Sequence, residues 1–363
     1  MPNRENNFAV LHFIGACMVI YGHQYALMGA GGRCPLLLGN PVSTLGVKMI
    51  FVITGFLITQ SFLREQNLGQ FLKRRLIRIY PALICCVVVC TFALSLFSTL
   101  NLADYFRWCW QYLLKNLALQ PVYALPGVFE NNPYPNTVNG SLWTLPVEVA
   151  MYFFVGISLW LFTRFRDKVF RIGYTAMVLA VVMAEAVKDT FGITRSAAFY
   201  GTDWLAAMDL IPYMLIGSLF EVANLKEYCN IQLATILLFC ASCISYQHIE
   251  LVAFIVLPYF AMSFALCEKP FFAGAFEKNN IAYGVYLWGF PVQQLLIYLL
   301  VVKANKPWSV NVFFVLSLIP VIGLAFLSHR FVEKPIEGFL KSKLLKKKAS
   351  TILSTEAERR RIP

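Results

Sequence analysis

Residues 45–63 read LGVKMIFVITGFLITQSFL and carry a single charged side chain, that of Lys48. An apolar stretch of about 20 residues is long enough to cross the hydrocarbon core of a bilayer as a helix. The whole chain is similar in character, because it is 58% hydrophobic and only 14% charged, whereas soluble domains are about 25% charged. This composition excludes a cytosolic enzyme and a disordered protein, and it indicates a protein that resides in a membrane.

Ten stretches of this kind predict an all-α, polytopic membrane protein with a bundle of about ten transmembrane helices. Glycine and proline inside such stretches are tolerated, because neighbouring helices can satisfy the backbone groups that they free. At Gly55 we predict a close approach between two helices. The ten stretches are 8–28, 45–63, 79–100, 142–162, 172–187, 204–220, 231–246, 249–266, 281–302 and 310–331.

The distribution of basic residues predicts the orientation. With ten crossings and the N-terminus in the cytoplasm, 23 of the 31 basic residues lie inside and 8 lie outside, as the positive-inside rule requires. Both termini are then cytoplasmic, and residues 336–363 form a basic cytoplasmic tail that faces anionic lipid. The net charge of +12 is thereby explained by orientation and membrane lipid, without nucleic acid.

Residues 105–119 are rich in aromatic side chains and also contain Arg107 and Lys115. Aromatic rings and basic stems both settle at the headgroup boundary, so we predict a helix that lies in the interface and does not cross. The connection from there to Ser141 is rich in Pro and Asn, which predicts a solvent-exposed loop.

Neither the cysteines nor the first apolar stretch predicts a further structural or targeting feature. Most of the ten cysteines lie in or beside apolar stretches, where thiols behave as small hydrophobes, so neither a disulfide framework nor a metal site is expected. The first apolar stretch has no clean cleavage site, so no cleavable signal peptide is expected.

Ionisable residues at membrane depth are costly, so each is a functional candidate. His23 is either a histidine bonded to a neighbouring helix or a general base that takes a proton from an attacking hydroxyl. Glu148 follows Pro146 near the start of a helix and could orient a histidine, take up a proton or face water. The remaining candidates at this depth are His12, Lys48, Glu185 and Asp209.

The segment 73–78, KRRLIR, precedes the third apolar stretch. Arg75 and Arg78 are three residues apart and share one face of a helix. Two guanidinium groups on one face either anchor the chain at the inner surface or hold phosphates bidentately. No glycine-rich phosphate loop accompanies them, so an ATP-driven machine is not expected.

Six motifs together resemble the membrane acyltransferase-3 family, which O-acylates sugars and cell-envelope polysaccharides. The resemblance covers nearly the whole chain. The motifs are NNFAVLHFIGACMVIYGH at 6–23, FVITGFLI at 51–58, RRLIRIYP at 74–81, SLWTLPVE at 141–148, AYGVYLWGFPV at 282–292 and HRFVEKPIE at 329–337.

The resemblance implies a membrane acyltransferase domain over residues 1–335, with acyl-CoA, and specifically acetyl-CoA, as donor. It implies His23 and Glu148 as the catalytic pair and a sugar hydroxyl as acceptor. The family carries an arginine where this chain has His12. Further candidates are Arg75, Arg78, Arg74 and His12 for the donor, and Trp143, Thr144 and Asp209 for the sugar.

The resemblance further implies a bacterial inner-membrane location. Because 32 residues follow Phe331, we do not expect the hydrolase-like domain that some members carry. Two other functions stay open. The same buried histidine and carboxylate could relay protons in a secondary transporter or flippase, and His12 could mark a non-catalytic scaffold. A carrier has no need of the arginine pair, and an enzyme is expected to lose acylation when His23 is replaced by alanine.

Overall fold

The computed structural model describes residues 6–188, 198–243, 249–267 and 280–340, and these form a bundle of helices. Residues 341–363, which make up most of the predicted basic tail, lie outside this part. Two short antiparallel hairpins join strands Leu36–Leu37 and Asn40–Pro41 and strands Ala198–Phe199 and Thr202–Asp203. The all-α prediction therefore agrees with the described architecture.

The α-helices are numbered in chain order over the described residues. Turns of π-helix continue the last two helices through Tyr298–Lys303 and His329–Glu333. The helices are α1 Phe8–Leu27, α2 Val42–Glu65, α3 Leu68–Ala93, α4 Leu102–Trp108, α5 Trp110–Leu117, α6 Thr144–Phe162, α7 Asp167–Val187, α8 Trp204–Val222, α9 Ile231–Ser242, α10 Ile249–Ala265, α11 Ala282–Ile297 and α12 Val310–Ser328.

Eight of these helical segments are long and apolar enough to cross a membrane within the described residues. They coincide with eight of the ten predicted stretches, and the other two correspond to the shorter apolar helices α9 and α10. The aromatic segment 105–119 forms the short helices α4 and α5, neither of which is long enough to cross. The chain is thus a helical, multi-pass membrane protein.

Close helix crossings hold the centre of the bundle together, and α2 lies at that centre between α1 and α8. A Cβ built on Gly55 would overlap the Met214 carbonyl oxygen of α8, and one on Gly217 would overlap the Val52 carbonyl oxygen of α2. Only glycine allows two backbones to approach so closely. The predicted close approach at Gly55 is therefore confirmed.

The start of α1, the end of α2 and the start of α3 lie at one end of the bundle, which we call the N-terminal end. Ring contacts join them there. Phe8 stacks on Phe56 with centroids 5.4 Å apart, and Phe62 packs edge-on against Phe71 at 5.5 Å. Arg75 and Arg78 lie on the α3 turns that follow Phe71, so the helix carries them from this end towards the interior.

The connection from α5 to α6 was predicted to be a solvent-exposed loop, and the structure confirms this only in part: Glu130, Asn131 and residues 133–136 are exposed, whereas other residues of the loop are buried. Val128, Val138 and Asn139 are fully buried. The Asn132 amide donates to the Gln294 carbonyl oxygen at 3.0 Å, and the Gln294 amide donates to the Thr137 carbonyl oxygen at 2.7 Å. Side-chain amides replace the water that an irregular backbone would otherwise need, which makes burial of this loop tolerable.

A proline in α11 anchors the same loop. Pro291 has no N–H, so the Leu287 carbonyl one turn earlier lacks its helical donor. The Asn139 amide donates to that carbonyl oxygen at 3.1 Å, and the Cys86 thiol donates to it at 3.6 Å. The freed backbone group is thus satisfied by neighbours, as predicted, and the contact fixes the chain just before α6 begins.

Candidate active site

A cavity of about 60 Å³ lies inside the bundle, between α1, α2, α3, α6 and α11. Its wall combines apolar side chains with an unusual number of polar and ionisable ones. The polar and ionisable lining residues are His12, Thr54, Arg75, Arg78, Thr144, Glu148, Tyr152, Tyr283 and Tyr286. Such groups are expensive at membrane depth, so their convergence marks this cavity as the candidate active site.

Arg75 and Arg78 lie together in the cavity wall, whereas Arg74, the third arginine predicted to bind the donor, does not line the cavity. Arg75 donates from Nη2 to the Ser61 hydroxyl at 3.2 Å, and its guanidinium carbon lies 5.8 Å from the centre of the Phe71 ring. Arg75 Nε is buried without a hydrogen-bond partner among the described residues. Arg74 instead pairs with Glu65 and does not line the cavity. The cavity therefore has donors available for an anion.

Glu148 faces the same cavity, from the first turns of α6. The Tyr152 hydroxyl, one turn further along that helix, donates to Glu148 Oε1. Thr144, one turn earlier, shares a hydrogen bond of 2.7 Å with the Tyr286 hydroxyl, which also donates to the Ser141 carbonyl oxygen at 3.1 Å. These bonds tie the start of α6 to α11 and hold the carboxylate opposite the arginines.

His12 lies one turn into α1 and is only 8% exposed. Its Nδ1 donates to the Phe8 carbonyl oxygen at 2.9 Å. The ring lines the cavity and also an adjoining recess of about 210 Å³. That recess is bounded by the start of α1 and by Asn280, so it lies at the N-terminal end of the bundle.

Known proteins resemble this chain in sequence. Residues 6–330 match the acyltransferase-3 family, described as an acyltransferase domain. The chain belongs to this family. No solved structure matches it, so the family assignment rests on sequence.

Three relatives are similar to this acyltransferase over most of its length, and two of them are described as O-acetyl transferases. It is 26% identical to an O-acetyl transferase of Shigella phage Sf6, over 92% of this chain and 96% of the relative. It is 24% identical to nodulation protein 10 of Rhizobium leguminosarum bv. viciae, over 91% and 93%. It is also 24% identical to the peptidoglycan O-acetyltransferase OatA of Listeria monocytogenes, over 82% of this chain and 52% of the relative. The chain is an O-acyltransferase by these similarities.

His23 of this acyltransferase does not line the cavity. It lies eleven residues after His12 on α1, which corresponds to about 16 Å along the axis. Its ring packs edge-on against Phe290 at 5.2 Å, and its Nδ1 is buried without a partner among the described residues. The structure thus brings Glu148 together with the arginines and leaves His23 apart. The catalytic role of His23 stays a prediction.

Two of the predicted sugar-binding residues also lie outside the cavity. The Trp143 carbonyl oxygen accepts a hydrogen bond from the Thr202 hydroxyl at 3.2 Å. Asp209 pairs with Lys48 at 2.9 Å, and the same ammonium group donates to Asn40 at 2.8 Å. Both residues have a structural contact of their own, and their role in binding a sugar stays a prediction.

Three tyrosines that line the acyltransferase cavity were not among the predicted site residues. Tyr152 follows Glu148 by four residues, a helical spacing that would have indicated their contact. Tyr283 and Tyr286 lie in the quoted motif at 282–292, but their orientation follows only from how α11 packs. Among the described residues, no three His, Cys, Asp or Glu side chains are grouped so as to hold a metal ion, and all ten cysteines are free.

Proposed function

We propose that the chain transfers an acetyl group from acetyl-CoA to a sugar hydroxyl of an envelope or exported polysaccharide, in the bacterial inner membrane. The observation that carries the proposal is the convergence of Arg75, Arg78 and Glu148 in one cavity of the bundle. Membership of the acyltransferase-3 family provides the reaction class. The chemistry of the cavity then supports a specific donor.

The arginines support a donor that carries phosphates, as coenzyme A does. Guanidinium groups bind phosphate oxygens through paired, charge-assisted hydrogen bonds. The unpartnered Nε of Arg75 leaves a buried donor that such an oxygen would satisfy, and buried donors without partners are costly. On the predicted topology these arginines are reached from the cytoplasm, where acyl-CoA is made.

The relatives support an acetyl group as the group that is transferred. Two of them are described as O-acetyl transferases. We therefore propose acetyl-CoA as the donor.

The relatives support a sugar as the acceptor. One of them is described as a peptidoglycan O-acetyltransferase and another as an O-acetyl transferase. Peptidoglycan is a polymer of sugars, so we propose that the acceptor here is also a sugar hydroxyl. A proton-coupled transporter or flippase receives no support from these relatives, since none is described as a carrier.

The experiment uses membrane vesicles that contain the full chain and radiolabelled acetyl-CoA. Label in the glycan fraction and release of CoA are measured. Replacing Arg75 or Arg78 by alanine removes a charged hydrogen bond of about 1.5–3 kcal/mol, so the KM for acetyl-CoA rises about ten-fold or more.

The matched control is Arg64→Ala, because Arg64 lies at the same end of the bundle and bonds only Gln60 among the described contacts. It leaves the KM unchanged. A wild-type chain that neither releases CoA nor labels glycan would refute the proposed reaction. Equal effects of the Arg64 and Arg75 variants would refute the donor site.

A further inference from the structure

The loop between α5 and α6 presents three exposed side chains close together in sequence, those of Asn131, Tyr134 and Asn136. We call them the Tyr134 surface, because the Tyr134 side chain is the aromatic one and is 44% exposed. We propose that this surface binds a sugar ring of the acceptor. This inference rests on the proposed function and names residues that hold its acceptor. None of the three is among the residues predicted to bind the sugar.

The Tyr134 surface lies at the end of the bundle opposite the N-terminal end. The Tyr134 ring packs edge-on against Phe290 of α11, with centroids 6.3 Å apart, and Phe290 in turn contacts the ring of His23 at 5.2 Å. His23 lies about 16 Å further along α1 than His12. Two ring contacts therefore connect Tyr134 with the residue predicted to take the hydroxyl proton. A sugar on this surface and a donor at the arginines would enter from opposite ends.

The position of Tyr134 differs from that of a residue in an interfacial aromatic belt. Belt residues lie where helices face lipid at the membrane surface. Phe290, against which Tyr134 packs, is only 5% exposed, and residues 284–294 of α11 are all buried. Helix α11 is thus surrounded by protein at this level. Tyr134 covers the interior of the bundle and not its lipid-facing side.

The backbone of the loop holds the Tyr134 ring in a fixed position. The fully buried Gln294 donates from its amide to the Tyr134 carbonyl oxygen at 2.8 Å. Pro133 has a fixed φ, and Pro135 restricts the preceding Tyr134 to extended conformations. A surface that is ordered before binding loses little conformational entropy when a ligand binds. The exposed ring is therefore preorganised for contact.

The side chains of the surface suit the chemistry of a sugar. A pyranose ring presents C–H groups on one face, and the negative face of an aromatic ring attracts their partial positive charge. Tyrosine also offers a large contact area with few rotatable bonds. Asn131 and Asn136 flank Tyr134 in the sequence, and their amides can both donate to and accept from sugar hydroxyls.

The charge of the loop favours a neutral ligand over an anionic one. Residues 120–143 contain no Lys or Arg. Their one carboxylate, Glu130, accepts a hydrogen bond from the Thr99 hydroxyl at 2.9 Å. Phosphate groups and anionic lipid headgroups are bound by basic side chains. The Tyr134 surface therefore fits a hydroxyl-rich sugar and not a phosphate group.

The experiment uses the purified full chain in detergent micelles, with acetyl-CoA and the solubilised envelope glycan fraction. Tyr134→Ala removes the ring, so the KM for the glycan rises by about 3–10-fold. The kcat and the KM for acetyl-CoA stay near their wild-type values, because the arginines lie at the other end. Tyr134→Phe keeps the ring and should keep the wild-type KM for the glycan.

The matched control is Tyr228→Ala. Tyr228 is 74% exposed and lies in the turn that follows α8. The end of α8 and the end of α2 line one recess through Val222 and Leu63, so Tyr228 lies at the N-terminal end. This variant should leave the KM for the glycan unchanged.

A second measurement makes the inference independent of acetyl transfer. Binding of the fluorescently labelled glycan fraction to the purified chain is measured without acetyl-CoA. The wild type and Tyr134→Phe should bind with equal affinity, and Tyr134→Ala should bind about 3–10-fold more weakly.

The results separate the two proposals. A wild type that binds glycan but transfers no acetyl group refutes the proposed function, and the glycan affinity of Tyr134→Ala then still decides the sugar site. Wild-type affinity in Tyr134→Ala overturns the site, as does a wild type that binds no glycan or an equal rise in the KM for acetyl-CoA. A loss confined to the glycan, and absent from Tyr134→Phe, supports it.

Discussion

Replacing Gly55 by alanine tests whether the crossing of α2 and α8 sets the geometry of the cavity. A Cβ at this position would lie 2.8 Å from the Met214 carbonyl carbon, and the reciprocal Cβ at Gly217 would lie 2.7 Å from the Val52 carbonyl carbon. Carbon atoms in contact are about 3.5–4.0 Å apart. The two helices must therefore separate by about 1 Å.

The cost follows from this separation. Overpacking of a rigid interior costs about 1–3 kcal/mol, and the upper part of that range applies because the neighbour is backbone and cannot rotate away. Alanine recovers about 1 kcal/mol through its higher helix propensity. The free energy of unfolding of Gly55→Ala should thus fall by about 2 kcal/mol. Activity should fall as well, because the adjacent Thr54 lines the cavity.

The matched control is Gly323→Ala in α12, where a new Cβ meets nothing within 4 Å. This variant gains up to about 1 kcal/mol from helix propensity, so the two alanine variants should differ by about 3 kcal/mol. Unfolding of the purified proteins by SDS in mixed micelles measures the difference. Equal stability of the two variants would show that α2 and α8 are not in this close contact.

Three other substitutions test separate parts of the structure. Tyr283 lines the cavity, and its buried hydroxyl has no partner among the described residues. If this hydroxyl binds the thioester oxygen, Tyr283→Phe lowers kcat for acetyl transfer by about 10²-fold, and an unchanged kcat excludes that contact. Ile50→Ala shortens a side chain in the cavity wall and so enlarges the cavity. The ratio of kcat/KM for butyryl-CoA to that for acetyl-CoA should then rise, and a constant ratio would show that Ile50 does not limit acyl length. Asp209→Asn leaves the buried Lys48 ammonium without its carboxylate and costs about 3–5 kcal/mol of unfolding free energy. Adding Lys48→Met recovers part of that loss, and a double variant as unstable as the single one contradicts the pairing.

Part of the candidate site could be predicted from the local sequence. Arg75 and Arg78 share a helix face by spacing alone, and the structure places both in the cavity. The pairing of His23 with Glu148 had no such basis, because the two residues lie on different helices. Glu148 was expected near the start of a helix, and the buried loop before α6, held at Asn139, places that start beside the arginines.

The amino-acid sequence by itself determined that the chain is a helical membrane protein, where its spans lie and which family it belongs to. These properties depend on apolar length, charge and motif order, each of which is local or additive along the chain. Only the tertiary structure decided that His12, and not His23, shares a cavity with Arg78 and Glu148. That choice depends on helix packing and on one buried loop, because side chains from separate helices meet only where close backbone crossings and satisfied polar groups allow them to.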